Sequence, residues 1–250
     1  MKLLLGYSIW NKVDMMAWLL HGIALNFDPA TTNVAFHFDA CEDGSQDAWN
    51  ACYPYLLMRA GGWKQEQITG LASPTTVGEL GGHNRILDLF MAGNYDLCLI
   101  AQDDQRFTAC PAHFLEVQLN QFGERLGIIG GRDGYDVAYS HFTGSRWSES
   151  NVQRRLNHGE FVPLPYMNSG PIAYTRKVVE RVGKLDPEFI AYYVWDDYGH
   201  RARKLGFVNG VMGMDLIHAK FGRVKASVQS FIGGQAAAHD LALRARKHGF

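Results

Sequence analysis

The stretch Tyr95–Gln105, YDLCLIAQDDQ, decides how the rest of this chain is read. Tyr95 to Ala101 is a nearly unbroken apolar run, the pattern of a strand buried on both faces. Two carboxylates, Asp103 and Asp104, follow at once. Adjacent negative charges at the end of a buried strand repel each other. A divalent cation relieves that repulsion, and carboxylates with open positions suit Mg2+ or Mn2+, which also bridge phosphates. On these residues alone, an exposed loop that happens to be acidic explains the pair equally well.

Toward the N-terminus, apolar runs and helical spacings alternate. Lys2–Ile9 reads as a strand closed by Trp10-Asn11. Val13–Phe27 has helical spacing, with Asp14 near its start and Met15, Leu19 and Ile23 on one stripe. Asn33–Phe38 leads into Asp39, and the turn CEDGSQD follows, with Ser45 expected to cap a helix that runs to about Arg59. Gln67–Leu71 is a further strand and Glu79–Met91 a helix. Strand and helix in alternation predict a mostly parallel sheet covered by helices, an α/β fold whose ligands bind beyond the C-terminal ends of the strands. Asp39 and Asp103-Asp104 both fall at such ends.

Toward the C-terminus the pattern loosens. Residues 130–165 are rich in Gly, Ser, aromatic and basic residues and read as a short hairpin region plus a long loop, the usual form of a lid or binding segment. Regular pattern returns at Gly170–Tyr174, in helices from Arg176 to Gly183 and from Asp196 to Leu205, and in a strand over Phe207–Ile217. Ser227–His248 reads as a terminal helix interrupted at Gly233-Gly234. No element is assigned between 106 and 129.

The whole sequence of 250 residues, 47% hydrophobic and 20% charged, suits a globular protein with a substantial core. A net charge of -1 gives no general attraction to nucleic acid or anionic membrane, so any polyanion contact needs a local patch. Four widely spaced cysteines without a CxxC pair argue for reduced thiols over a disulfide framework or zinc cluster. MKLLLGYSIWNK lacks the long apolar core and small-residue cleavage site of a signal peptide, and no stretch approaches the ~20 apolar residues of a membrane span. The expectation is a cytoplasmic protein with a buried first strand.

Two further groups of residues bear on chemistry. His218 ends the apolar run VMGMDLIH and precedes AKFGR, where Lys220 and Arg223 are placed to neutralise phosphate. A lone His after a strand is more often structural, but beside two carboxylates it is a candidate metal ligand. Trp195-Asp196-Asp197 opens a helix, where carboxylates are favoured by the helix dipole by ~0.3–1 kcal/mol. A general base held near an acceptor hydroxyl is the other reading, and spacing does not separate the two.

In this order the features resemble the GT-A glycosyltransferases, in particular the inverting family 2 group. The opening YSIWNKVDMMAWLL, the nucleotide loop FHFDACEDGSQD, the metal-binding YDLCLIAQDDQ, the acceptor-side block from Met167 to Phe207 and the late LIHAKFG carry the resemblance, over roughly residues 2–223. It implies a single domain with a Rossmann-like, mostly parallel central sheet over 1–225. Residues 1–105 would form the nucleotide-sugar half, 106–225 the acceptor half, and 226–250 a helical tail. It further implies that Asp39, Tyr7 and Ser8 bind the nucleoside, that Asp104, with Asp103 beside it, and His218 hold Mn2+ or Mg2+, that Asp103 also belongs to the donor-binding residues, and that Lys220 approaches the diphosphate. Asp197 would be the catalytic base, with Asp196 and Trp195 on the acceptor side. Gln102 stands where many members have an acid, so the first position of a strict DxD motif is absent.

The implied activity is inverting transfer of a hexosyl or pentosyl group from a nucleotide diphosphate sugar, a UDP-sugar first, to a hydroxyl. The aromatic and basic segment Tyr139–His158, with Trp147 and Arg155, suits acceptor binding. A carbohydrate acceptor is the first expectation and a modified nucleic-acid base the alternative. A nucleotidyltransferase would need a glycine-rich phosphate loop after the first strand, which GYSIWNK lacks; a non-catalytic sugar- or nucleotide-binding module would not need Asp197 and His218 together.

Overall fold

The computed structural model describes residues 1–132, 156–164, 170–190, 193–219 and 232–249, together with four two-residue strands between 137 and 154. Strands β1 (Leu3–Ile9), β2 (Thr32–Asp39), β3 (Ile68–Ser73) and β4 (Leu97–Gln102) alternate with helices α1 (Met16–Asn26), α2 (Ser45–Tyr53) and α3 (Gly78–Ala92). A short strand β5 (Gln105–Phe107), helix α4 (Ala112–Phe122) and strand β6 (Leu126–Arg132) follow. The small pairs are β7 (Val137–Ala138) with β10 (Gln153–Arg154), and β8 (Phe142–Thr143) with β9 (Arg146–Trp147). The chain then forms β11 (Phe161–Pro163), β12 (Ile172–Thr175), α5 (Arg176–Val182), α6 (Val194–Lys204), β13 (Val208–Gly213), β14 (Leu216–His218) and α7 (Ala237–His248).

Eight strands form one sheet in the order β11-β13-β6-β12-β4-β1-β2-β3. All run the same way except β12, which enters antiparallel between β4 and β6, and β11 at the edge. The mostly parallel α/β sheet expected from the alternation is therefore present.

Because successive side chains on a strand face opposite ways, the sheet separates two cores. On one face Leu3, Leu5, Tyr7 and Ile9 of β1 join Phe36, Phe38, Leu97 and Leu99 and pack against Leu19, Leu20 and Ile23 of α1. On the other, Leu4, Ala35, Cys98, Ile100 and Tyr174 meet Ile86, Leu87 and Phe90 of α3 with Trp195 and Tyr198 of α6. The stripe Met15, Leu19 and Ile23 is buried as expected. Gly82 lets α3 lie this close: a Cβ there would sit 2.1 Å from Ser8 Oγ and 2.8 Å from His37 Nδ1.

Two local expectations are corrected, and two stretches are filled in. Ser45 is the first residue of α2 and makes no capping bond; Asp43 instead accepts from the Ser45 backbone N–H at 2.9 Å, and its other oxygen accepts from Val13 N–H. The run over Phe207–Ile217 breaks at Met214-Asp215 into β13 and β14, and β14 leaves the main sheet to pair with β5. In the terminal segment the expected interruption at Gly233-Gly234 falls in a π-helical turn over Ile232–Ala236, which leads into α7; residues 227–231 lie outside the described ones. Residues 106–129, left without an element, hold the last part of β5, α4 and most of β6. All four cysteines are free, and among the described residues no helix is long and apolar enough to cross a membrane.

Candidate active site

β4 ends at Gln102, and the backbone reverses over Asp103-Asp104 into β5. β5 pairs antiparallel with β14, with Gln105 opposite His218, and the Ala219 N–H donates to the Asp104 carbonyl at 2.7 Å. This short ladder brings His218 Nε2 to 3.2 Å from Asp104 Oδ2. The other oxygen, Asp104 Oδ1, is buried without a hydrogen-bond partner among the described residues. An unpaired carboxylate oxygen out of water is costly. A hard divalent cation satisfies it and takes an imidazole as well, so the donor set fits Mn2+ or Mg2+ with phosphate oxygens and water in the remaining positions. Among the described residues no three His, Cys, Asp or Glu side chains form a ready metal cage.

Asp103 is held differently. Its Oδ2 accepts the Trp10 N–H at 3.1 Å, and Lys12 Nζ lies 3.6 Å from Oδ1. Burial pushes its carboxyl up to about 6 against the pull of Lys12 and the Trp10 N–H, with Asp104 adding to the rise. The glutamines that flank the pair brace the turn. Gln105 accepts the Gln102 N–H at 3.0 Å and donates back to Gln102 Oε1 at 3.0 Å, while Gln102 Nε2 donates to Glu79 Oε1 at 3.1 Å. The residue that replaces a family acid thus holds the loop in shape and ties it to α3.

Glu79 was not among the residues singled out from the sequence. It stands in the first turn of α3, partly open to solvent. Desolvation by the surrounding protein, opposed by the Gln102 hydrogen bond and reinforced by Asp103 and Asp104, pushes its carboxyl up to about 7, although the side chain keeps 39% of its surface open. Three carboxyl groups, Glu79, Asp103 and Asp104, therefore gather near the C-terminal end of β4.

Asp39 ends β2 on the same edge, and its carboxylate accepts from the Val77 N–H at 2.7 Å and the Gly78 N–H at 2.9 Å, fixing the start of α3. Each of its oxygens has a backbone partner, so a nucleoside contact would share or displace one. The expectation that Tyr7 lines a nucleoside pocket is corrected: its ring is buried and stacked on Phe36 at 5.3 Å, because β1 is covered on both faces. Ser8 lies beneath Gly82 of α3, also buried.

On the acceptor side, α6 starts after Tyr193, which takes a left-handed φ of +58°. Asp197 is 1% exposed, with Oδ2 accepting from Arg201 Nε at 2.8 Å and Oδ1 2.9 Å from His248 Nε2. Both oxygens are occupied, one by the i+4 residue of its own helix and one by α7. Asp196 faces Arg244 of α7, with Nε 3.9 Å from Oδ2, and burial pushes its carboxyl up to about 6 against the pull of that guanidinium. Trp195 does not project as an acceptor platform. It is 4% exposed and meets His83 edge-on at 5.7 Å. Buried between Trp195 and the sheet, His83 is pushed down to about 3 by burial and by His37.

Lys220, Arg155 and the side chain of Trp147 lie outside the described residues, as does most of the segment 139–158. His158, at its end, folds back: its Nδ1 accepts the Asp215 N–H at 3.0 Å and its ring meets Phe114.

No protein-family model matches the chain, and no curated protein matches it in sequence. Solved structures do match. The mannosyltransferase PcManGT from Pyrobaculum calidifontis, in complex with GDP-Man and Mn2+, superposes with a TM-score of 0.62 at 14% identity, over 98% of this chain and 64% of that one. S. aureus TarS 1–349 gives 0.60 at 14% identity, over 85% of this chain and 58% of that one. The same protein in complex with UDP-GlcNAc gives 0.61 at 13% identity, over 89% and 59%. The chain spans about three-fifths of these neighbours' length. The likeness shows the fold, the Rossmann-like GT-A arrangement that the sequence resemblance implied.

Proposed function

We propose that the chain is a divalent-metal-dependent glycosyltransferase that moves a sugar from a nucleoside diphosphate to an acceptor hydroxyl with inversion. The observation that carries this reading is the Asp104–His218 pair, with its buried, unpartnered Oδ1, at the C-terminal edge of a GT-A sheet. Structural neighbours in complex with GDP-Man and Mn2+ or with UDP-GlcNAc support the donor class, with a UDP-sugar the first expectation and a GDP-sugar the second.

In this reading Asp104 and His218 hold the cation, and Asp103, already tied to Trp10 and Lys12, closes the same side of the cleft. The bound Mn2+ or Mg2+ supplies the positive charge that a departing diphosphate needs. Asp39 orients α3, which carries Glu79 toward the cleft. The base is Asp196 rather than Asp197. A base must have a lone pair free for the acceptor proton and a carboxyl matched to the working pH. Asp197 has both oxygens engaged, whereas Asp196 sits at about 6 with a longer ionic contact. Asp196 takes the hydroxyl proton as the oxygen attacks the anomeric carbon from the face opposite the diphosphate. A carbohydrate hydroxyl is the acceptor class proposed, with a modified nucleic-acid base as the alternative.

The test is incubation with UDP-GlcNAc, UDP-glucose, UDP-galactose and GDP-mannose in the presence of Mn2+, with release of UDP or GDP followed. Slow, EDTA-sensitive hydrolysis of one donor, lost in Asp104→Ala, is expected. Donor binding without release under any condition would replace this reading with a binding module.

A further inference from the structure

The C-terminal helix α7 touches the acidic pair at two points and touches the segment before it at several more. Asp240 accepts the Ile190 N–H at 2.9 and 3.1 Å, and Lys247 pairs with Asp186 and with Glu188. His248 reaches Asp197, and Arg244 reaches Asp196. The guanidinium of Arg244 also lies over the Tyr193 ring at 5.5 Å, directly beside the left-handed residue from which α6 starts. Arg244 and Asp196 are both almost wholly buried, at 4% and 8% side-chain exposure. In such surroundings a charge at this distance is screened far less than at the surface.

We infer that Arg244 is a positioning residue for the proposed base: from the C-terminal helix it fixes the Asp196 carboxylate against the start of α6 and keeps it ionised. The inference rests on the reading of Asp196 as the base. Burial at this site favours the neutral carboxyl, which accepts no proton. Asp197 next to it is already paired with Arg201 and in hydrogen-bond contact with His248, and His83 behind Trp195 is held neutral by its own burial. The cation that the structure places against Asp196 is Arg244. An opposite charge at about 4–6 Å lowers a carboxyl by about one to three units, enough to move Asp196 between mostly protonated and mostly charged at neutral pH. The helix that looks like a tail is thereby part of the site's chemistry.

The experiment uses the full chain, with Arg244→Met, which keeps the length and apolar stem, and Arg244→Lys, which restores the charge. Aspartate carboxyl carbons labelled with 13C are titrated by NMR, with Asp196→Asn assigning the Asp196 signal. The Asp196 midpoint should rise by at least about one unit in Arg244→Met and return most of the way in Arg244→Lys. A midpoint that stays in place in a folded Arg244→Met overturns the inference. The pH dependence of Mn2+-dependent donor hydrolysis, measured on the same proteins, addresses the reading beneath it. An acid limb that moves with the midpoint supports both, whereas a shifted midpoint with a stationary limb removes Asp196 as the base.

Discussion

Replacing Asp197 by Asn separates a carboxylate that holds the fold from one that works on a substrate. The substitution conserves volume, so packing is unchanged and the effect comes from hydrogen bonds and charge. Asp197 is 1% exposed and is bonded to Arg201 Nε at 2.8 Å and His248 Nε2 at 2.9 Å. Asn retains one accepting oxygen and turns an N–H2 group toward the second donor, so one of the two bonds is lost. Removing one partner of a buried ion pair typically costs about 3–5 kcal/mol. Here the loss is smaller, because Arg201 keeps the Val182 and Lys184 carbonyls as acceptors and is itself 28% exposed. A cost of about 2–3 kcal/mol follows. With a urea m-value of about 3 kcal/mol/M, the unfolding midpoint should fall by about 0.7–1 M. Donor hydrolysis by the folded Asp197→Asn protein should remain within a few-fold of the parent. Asp196→Asn should instead lose hydrolysis outright while remaining folded, since its carboxylate holds a single, longer ionic contact to Arg244. An unchanged midpoint in Asp197→Asn together with lost turnover would refute the assignment and return the base to Asp197.

Metal and pH act together on stability. Asp103 and Glu79 have folded-state values of about 6 and 7, above those of the unfolded chain, so between about pH 4 and 7 the folded protein holds protons that the unfolded chain releases. Metal-free protein should therefore lose stability as pH rises through that window, and the rise in melting temperature on adding Mn2+ should grow from pH 5.5 to 7.5; a metal effect independent of pH in scanning fluorimetry would count against a cation in this cleft. Gly82→Ala should destabilise the fold by about 1–3 kcal/mol, because the new methyl meets Ser8 and His37 across a helix–sheet contact; urea titration reads this directly, and a neutral result would mean that α3 shifts freely.

The fold was legible because its signals are local. Apolar runs such as Leu97–Ala101 and the stripe Met15, Leu19, Ile23 each announce one element, and alternation of the two orders the sheet. The site was legible only in part. Asp104 and His218 could be named because each follows a buried run, yet what joins them is the β5–β14 ladder, and no spacing in the sequence encodes it. Glu79 stayed hidden for a related reason: it meets Gln102 because β4 and β2 flank β1, which sets the start of α3 beside the end of β4. Tyr7 misled because the resemblance of the opening segment carries it into the nucleoside pocket, while this strand is covered on both faces. Asp196 and Asp197 are neighbours in sequence but point about 100° apart on the helix, so they face different surroundings. The Asp197–Arg201 spacing of four was the available sign that Asp197 is the paired one.

The ladder between β5 and β14 also sets a timetable. Asp104 and His218 are more than a hundred residues apart in the chain, and they meet only when β14 returns to pair with β5. Contacts of such long range form late, since the loop between them must first be ordered. A growing chain can assemble β1 to β4 and all of the early helices while its cation site is still missing one side. Ions in the cell would then find only scattered carboxylates on the incomplete protein. With Asp104 and His218 as the proposed ligands, the capacity to bind metal would appear only once β14 has closed on β5.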